Sequence, residues 1–292
     1  MTVAQVFRQI ETSIPYYLSS GGGITLSGGE CLLQPKFSKQ LCVEARRRGL
    51  TAALDTAATG TEEHWDQILP HVDLVLLCVK SSDPQKHVLI TGSHDTRPYY
   101  TMLAFLAATQ RHGVKTWIRF VLMSAGEGGA DVTCCGGQRT CSRSFTFSDI
   151  ATDGEDEVKG VAAIAKAHSN VAGVEILPYH RFGVYKWEEM RLPYPLQGMT
   201  TPSDTTLARV TRLFETEGIE VIVKSRLPLN MILSATMIFT RSYRRESGET
   251  ARAPSCPAEF RRACSRPLDR YAPRRSLQSS SSPWENRVEN RG

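Results

Sequence analysis

The sequence predicts an α/β fold in which parallel strands alternate with helices to form a partial barrel, followed by an irregular C-terminal tail. Strand-like and helix-like patterns alternate from residue 2 to residue 223, as they do where parallel strands are joined by right-handed crossovers. Glu30, Asp55, Lys80, Arg119 and His180 each fall at or near the C-terminal end of a predicted strand. In a β/α barrel that end binds ligands. With 292 residues, 41% of them hydrophobic, the chain is long enough for one large barrel or two ordinary domains with a sizeable core.

Taken in order, Thr2 and Gln5 form a capping box ahead of Val3, Val6, Phe7 and Ile10 at helical spacing. A strand follows over residues 21–27 and runs into the turn Gly28-Gly29-Glu30. Pro35 starts a helix with Phe37, Leu41 and Ala45 on one face, arginines in its last turn and Gly49 as its stop. Residues 51–55 are the next strand and 62–69 the next helix. Residues 73–80 hold Leu74-Val75-Leu76-Leu77, a continuous apolar run expected of a parallel strand covered on both faces. Helices are expected at 99–111, 158–167 and 205–217, and strands at 115–123, 173–178 and 220–223.

Two segments break the pattern. Residues 124–150 contain Cys134, Cys135 and Cys141 without usable periodicity and are expected to be an irregular insertion. Adjacent cysteines followed by a third match no zinc or iron–sulfur spacing. Residues 224–292 are rich in Arg, Ser and Pro and are expected to be disordered. Residues 225–292 carry thirteen Arg, no Lys and six acidic residues, a net +7, so the remainder of this +5 chain is slightly acidic. A nucleic-acid partner would rest on the tail alone, and none is expected. No apolar run reaches the length of a membrane span, so no membrane partner is expected either. Eight scattered cysteines in a chain this long favour a reducing compartment over a disulfide framework.

Gly28 and Gly29 let the backbone come close to a ligand, and Glu30 offers an acceptor for a ligand amine. A lone Gly-Gly-Glu is equally a tight turn. Here it lies within Gly21-Gly22-Gly23-Ile24-Thr25-Leu26-Ser27-Gly28-Gly29-Glu30, followed by Leu54-Asp55-Thr56, Trp117-Ile118-Arg119-Phe120-Val121, Glu175-Ile176-Leu177-Pro178-Tyr179-His180, Gly183, Lys186-Trp187 and Tyr194-Pro195-Leu196. This ordered set resembles the radical S-adenosylmethionine (SAM) activating enzymes of glycyl-radical enzymes, most of all the pyruvate formate-lyase activating type.

The resemblance implies a partial (β/α)6 TIM-like barrel of the radical SAM type, lacking its first strand, over residues 1–223. It implies that Gly28, Gly29 and Glu30 bind the amino end of SAM, that Arg119 and Lys80 lie at its carboxylate, and that His180 touches the ribose and adenine side. Asp55 and Thr56 would hold a monovalent cation. The implied activity is reductive cleavage of SAM by a [4Fe-4S] cluster to a 5′-deoxyadenosyl radical, which takes a hydrogen atom from a glycine of a partner of the pyruvate formate-lyase type. A flavodoxin or ferredoxin-type protein would donate the electron. The compartment expected by default is the cytoplasm, or a mitochondrion or chloroplast where a transit peptide precedes the sequence.

The sequence departs from the family pattern in two places. Where the family has Asp-x-Lys this chain has Cys78-Val79-Lys80, and a thiol is a poor ligand for a hard cation. No C-x3-C-x2-C occurs in the 292 residues, so the chain has no recognisable cluster ligands. The expectation is that the sequence has lost an N-terminal part carrying them. The alternative is an open five-stranded remnant that binds SAM or its partner without chemistry.

Overall fold

The computed structural model describes residues 1–125, 131–133, 144–192 and 194–223. Helices α1 (Val3–Ile10) and α2 (Ile14–Ser20) precede strand β1 (Gly23–Leu26). Next come α3 (Pro35–Arg47), β2 (Thr51–Thr56), α4 (Glu62–Ile68), β3 (Leu74–Val79), α5 (Pro84–Thr91), α6 (Arg97–Arg111) and β4 (Lys115–Leu122). Strands β5 (Asp131–Thr133) and β6 (Ser144–Thr146) pair antiparallel, and α7 (Phe147–Ile150) follows directly. The chain then forms α8 (Glu155–Lys166), β7 (Val171–Pro178), α9 (Val184–Glu189), α10 (Asp204–Thr216) and β8 (Val221–Val223).

The main sheet has the order β1-β2-β3-β4-β7-β8, with every pair parallel. Six strands are present, one for each of the six stretches expected as strands and one more than the five of the remnant reading. The sheet is open: among the described residues β1 and β8 each pair on one side only.

Strand alternation divides the sheet into two unlike faces. One carries Leu54, Val75, Leu77, Val79, Ile118, Phe120, Leu122, Val174 and Ile176, all at 0% exposure. It packs under the apolar stripes of α1, α3, α4, α6, α8 and α10 in a single core cluster. The other face, with Asp55, Leu76, Cys78, Trp117, Arg119 and Glu175, is half-buried. The expectation that β3 is covered on both faces therefore fails. Leu74 and Leu76 are half-buried on this concave side and lie outside the core cluster of described residues.

Thr2 and Gln5 form the predicted capping box. Of 124–150, Asp131–Thr133 and Ser144–Ile150 adopt regular structure within the described residues; the three cysteines of that segment and all of 224–292 lie outside them. Phe145, Phe147 and Ile150 join Met123, Tyr179 and Met199 in a second, smaller apolar cluster next to the C-terminal ends of β4 and β7.

Within the main core Phe120 of β4 and Phe214 of α10 meet edge to face, with ring centroids 5.7 Å apart at 78°. Both are fully buried. Phe214→Ala is expected to destabilise the chain by about 3–5 kcal/mol, as emptying an aromatic site in a packed core does. A urea unfolding curve with an unchanged slope and a lower midpoint is the measurement that checks it.

Candidate functional site

Glu30 follows a tight turn made possible by Gly28, whose φ of +116° is closed to residues with a side chain. A Cβ at Gly29 would meet nothing within 4 Å, so this part of the loop borders open space. The Glu30 carboxylate then ties the loop to the end of β2. Its Oε1 accepts from Thr56 Oγ1 at 2.6 Å and from the Leu32 amide at 3.0 Å, while Oε2 accepts from the Ala57 amide at 2.7 Å. Thr56 Oγ1 in turn accepts from the Ala58 amide.

Beside Thr56, Asp55 turns to the concave face. Its Oδ2 accepts from Ser27 Oγ at 3.1 Å and from Arg119 Nη1 at 2.7 Å. Arg119 lies inside β4 rather than at its end, opposite Cys78 on β3 and Glu175 on β7. Its Nε donates to Glu175 Oε2 at 2.6 Å. One guanidinium thus joins β2 to β7 across β3. Its side chain is 13% exposed, and those of Asp55 and Glu175 are 21% and 16% exposed. Burial works against the Arg119 charge, but the two carboxylates outweigh it and hold the group above its ordinary range.

Cys78 occupies the middle of this network. Burial pushes its thiol up, and Lys80, Asp55, Arg119 and Glu30 each lie close enough to bias it. Four of the residues singled out from sequence are thereby brought to one neighbourhood. Lys80 immediately follows β3 and continues the alternation of Leu76 and Cys78, toward the same concave side. It forms no hydrogen bond or ion pair among the described residues. His180 stands two residues beyond β7, beside Phe182 at a ring separation of 4.5 Å, and its Nδ1 accepts from the Phe182 amide at 3.3 Å. Partial burial lowers its pKa, which favours the neutral ring. Its described contacts do not reach the Arg119 network; what joins them is β7, which carries Glu175 and ends just before His180.

Sequence reasoning missed Glu175, Ser27 and the central place of Cys78. A lone carboxylate between Val174 and Ile176 in an apolar strand was the available signal for Glu175. Arg119 also differs from expectation, because its fork is turned to two carboxylates of the chain instead of standing free for a ligand carboxylate.

Neither implied metal fits the described residues. At Asp55 and Thr56 the Asp55 carboxylate is already paired with Arg119, the Thr56 hydroxyl bonds the Glu30 carboxylate, and burial pushes the neighbouring Cys78 thiol up. For a [4Fe-4S] cluster, Cys31, Cys42 and Cys78 are separate free thiols, and no group of three His, Cys, Asp or Glu among the described residues could hold a metal.

With this geometry in place, the similarity to known proteins is informative. The pyruvate formate-lyase-activating enzyme of Staphylococcus epidermidis is 31% identical over 224 residues, covering 75% of this chain and 78% of that protein. The corresponding enzyme of Clostridium pasteurianum is 34% identical over 197 residues, covering 68% and 70%. This chain belongs to the pyruvate formate-lyase-activating enzyme family. No family model matches it. Among solved structures, a domain of pyruvate-formate lyase-activating enzyme from Bacteroides vulgatus aligns with a TM-score of 0.50 at 19% identity, over 69% of this chain and 98% of that one. A radical SAM methyltransferase from Sphaerobacter thermophilus aligns with a TM-score of 0.52 at 12% identity, over 77% and 57%. Both likenesses are of fold: parallel strands alternating with helices, the arrangement of the six-stranded sheet here.

Two outcomes test the site. Arg119→Met leaves Asp55 and Glu175 without their shared cation and is expected to cost about 3–5 kcal/mol at pH 7.5, the usual effect of removing one partner of a buried pair. Urea titrations of the wild type and the variant at pH 7.5 measure it. Burial, with Glu30 beside it, pushes the Cys31 thiol up, and burial pushes Cys42 up to about 12. Both are therefore expected to resist iodoacetamide at pH 8 until the chain is unfolded, as followed by peptide mass spectrometry.

Proposed function

We propose that this chain binds SAM on the concave face of the sheet, as part of an activase for a glycyl-radical enzyme of the pyruvate formate-lyase type. The observation that carries the proposal is the gathering of Glu30, Asp55, Lys80 and Arg119 around Cys78 in a member of the activating-enzyme family. The methionine end of SAM is a zwitterion, and the face offers one group for each charge. Glu30 Oε2 accepts only the Ala57 amide among the described residues, which leaves a lone pair for the ligand ammonium. Lys80, without an ion pair of its own among the described residues, suits the carboxylate. Arg119 acts indirectly, by fixing Asp55 and Glu175. A neutral His180 on the β7 side can donate and accept at the ribose or base.

Bound SAM would supply the chemistry: one electron added to its sulfonium would break the C5′–S bond, release methionine and leave a carbon-centred radical able to take a hydrogen atom from a glycine of the partner. The chain's own residues hold the sulfonium nucleotide in one orientation on the concave face. A flavodoxin or ferredoxin-type donor belongs to the same proposal. The 292 residues hold no C-x3-C-x2-C, so the electron-delivering step is not assigned to any residue of this sequence. That same absence favours a second reading, in which the chain binds SAM or the partner without cleaving SAM.

Calorimetric titration with SAM tests the shared part of both readings. Wild-type chain is expected to bind, and Lys80→Ala to weaken binding at least tenfold, since a charge-assisted hydrogen bond contributes about 1.5–3 kcal/mol. No heat of binding overturns the proposal. Anaerobic reconstitution with iron and sulfide, then dithionite, separates the two readings: 5′-deoxyadenosine in the product supports the activase, and its absence from a SAM-binding chain supports the remnant.

A further inference from the structure

We infer that Glu157 and Gly160 of α8 are positioning residues that set the placement of Lys80, and through it the grip on a ligand carboxylate. The inference rests on the proposal that Lys80 meets the carboxylate of SAM.

It starts from strand alternation. Cys78 and Lys80 point to the concave side, while Val79 and Ser81, both at 0% exposure, point toward the helices. Lys80 has no partner of its own among the described residues, so its direction is inherited from the backbone on either side. On the N-terminal side that backbone is held by the ladder of β3, which pairs with β4 up to Val79. Beyond Val79 the ladder ends and α8 takes over.

Glu157 is a carboxylate at 5% exposure on an otherwise apolar helix face that also carries Val158, Val161 and Ala162. Burying a charge there is costly unless it is fully bonded. Its Oε2 accepts from Ser81 Oγ at 2.9 Å and pairs with Lys86 Nζ at 3.2 Å, and its Oε1 accepts from the Ser82 amide. Ser81 Oγ also accepts from the Asp83 amide at 3.0 Å, and Asp83 caps α5 through the Lys86 amide at 2.7 Å. The segment that follows Lys80 is thus wound around one carboxylate.

Gly160 lies three residues on, along the same side of α8. A Cβ there would overlap Cβ and Oγ of Ser82, so only glycine lets the helix approach this closely. Tyr99 Oη closes the clamp from α6 by donating to the Ser82 carbonyl at 2.8 Å. None of these groups reaches the concave face. Their action on a ligand runs through Lys80 alone, which separates a positioning role from a general structural one.

The experiment compares two probes by calorimetry: SAM, and 5′-methylthioadenosine, which lacks the amino-acid end that Lys80 would hold. Glu157→Ala is expected to weaken SAM five- to tenfold and to leave 5′-methylthioadenosine unchanged. Ser81→Ala, which removes one hydroxyl without opening a cavity, is expected to give the same selective loss at about threefold and serves where Glu157→Ala does not fold. Glu157→Gln keeps the shape of the side chain but sets an NH2 donor against the donors of Ser81, Ser82 or Lys86, and should give the same selective loss. In a Lys80→Ala background, Ser81→Ala should have no further effect. Equal weakening of both probes, or full additivity with Lys80→Ala, overturns the inference while leaving SAM binding intact. A wild-type chain that binds neither probe overturns the SAM proposal and this inference together.

Discussion

The guanidinium of Arg119 is the group on which the concave face depends. Neighbouring strands lie about 4.8 Å apart, so a side chain on β4 that bonds a carboxylate on β2 must reach across β3. Arg119 does this with Nη1 while its Nε holds Glu175 on β7. A lysine could not do both, because its single ammonium is a point donor on a flexible stem. Three strands contribute the charges, and the fourth, β3, contributes Cys78 beneath them. Loss of the bridge would take from Asp55 and Glu175 the one cation that they share.

That arrangement follows from the unequal faces of the sheet. On the helix side, side chains of β2, β3, β4 and β7 disappear into a continuous apolar core, which fixes strand register strongly, because a one-residue slip would expose every one of them. The register so fixed places Arg119 opposite Cys78 and Glu175. Polar geometry on the concave side is therefore paid for by apolar burial on the other. The clamp on Ser81 and Ser82 uses the same device from the helix layer: a buried carboxylate on α8 governs residues whose neighbour faces the opposite way.

How much of this was legible in the sequence depended on whether a residue announces itself through its own position or through a partner. Helices with a buried stripe were legible: Phe37, Leu41 and Ala45 mark α3, and the capping box of Thr2 and Gln5 marks α1. Helices α2 and α9 bury no residue at all, and α5 buries only His87 and Val88, so no apolar period betrays them. In the site, Glu30 and Asp55 stood out as carboxylates at strand ends after apolar runs. The pairing of Arg119 was not legible, since it follows from the register of three strands that are distant in sequence. Glu157 was hidden for the same reason: in sequence it is one of three acids in the first turn of α8, and only folding separates the buried one from Glu155 and Asp156.

The formal charges of the concave face give the thiol at position 78 a physical meaning. Among these described residues Glu30, Asp55 and Glu175 contribute three negative charges, and Arg119 and Lys80 contribute two positive ones, a sum of one negative charge. A carboxylate at position 78 would deepen the negative charge and leave Asp55 and its neighbour as hard oxygen ligands for a small cation. A thiol pushed up by burial removes both the ligand and the charge that would attract the ion. Asp55 then has Arg119 as its counter-ion, supplied by the protein itself and fixed by strand register. The thiol at position 78 and the inward turn of the arginine fit together: the cation beside Asp55 is built into β4.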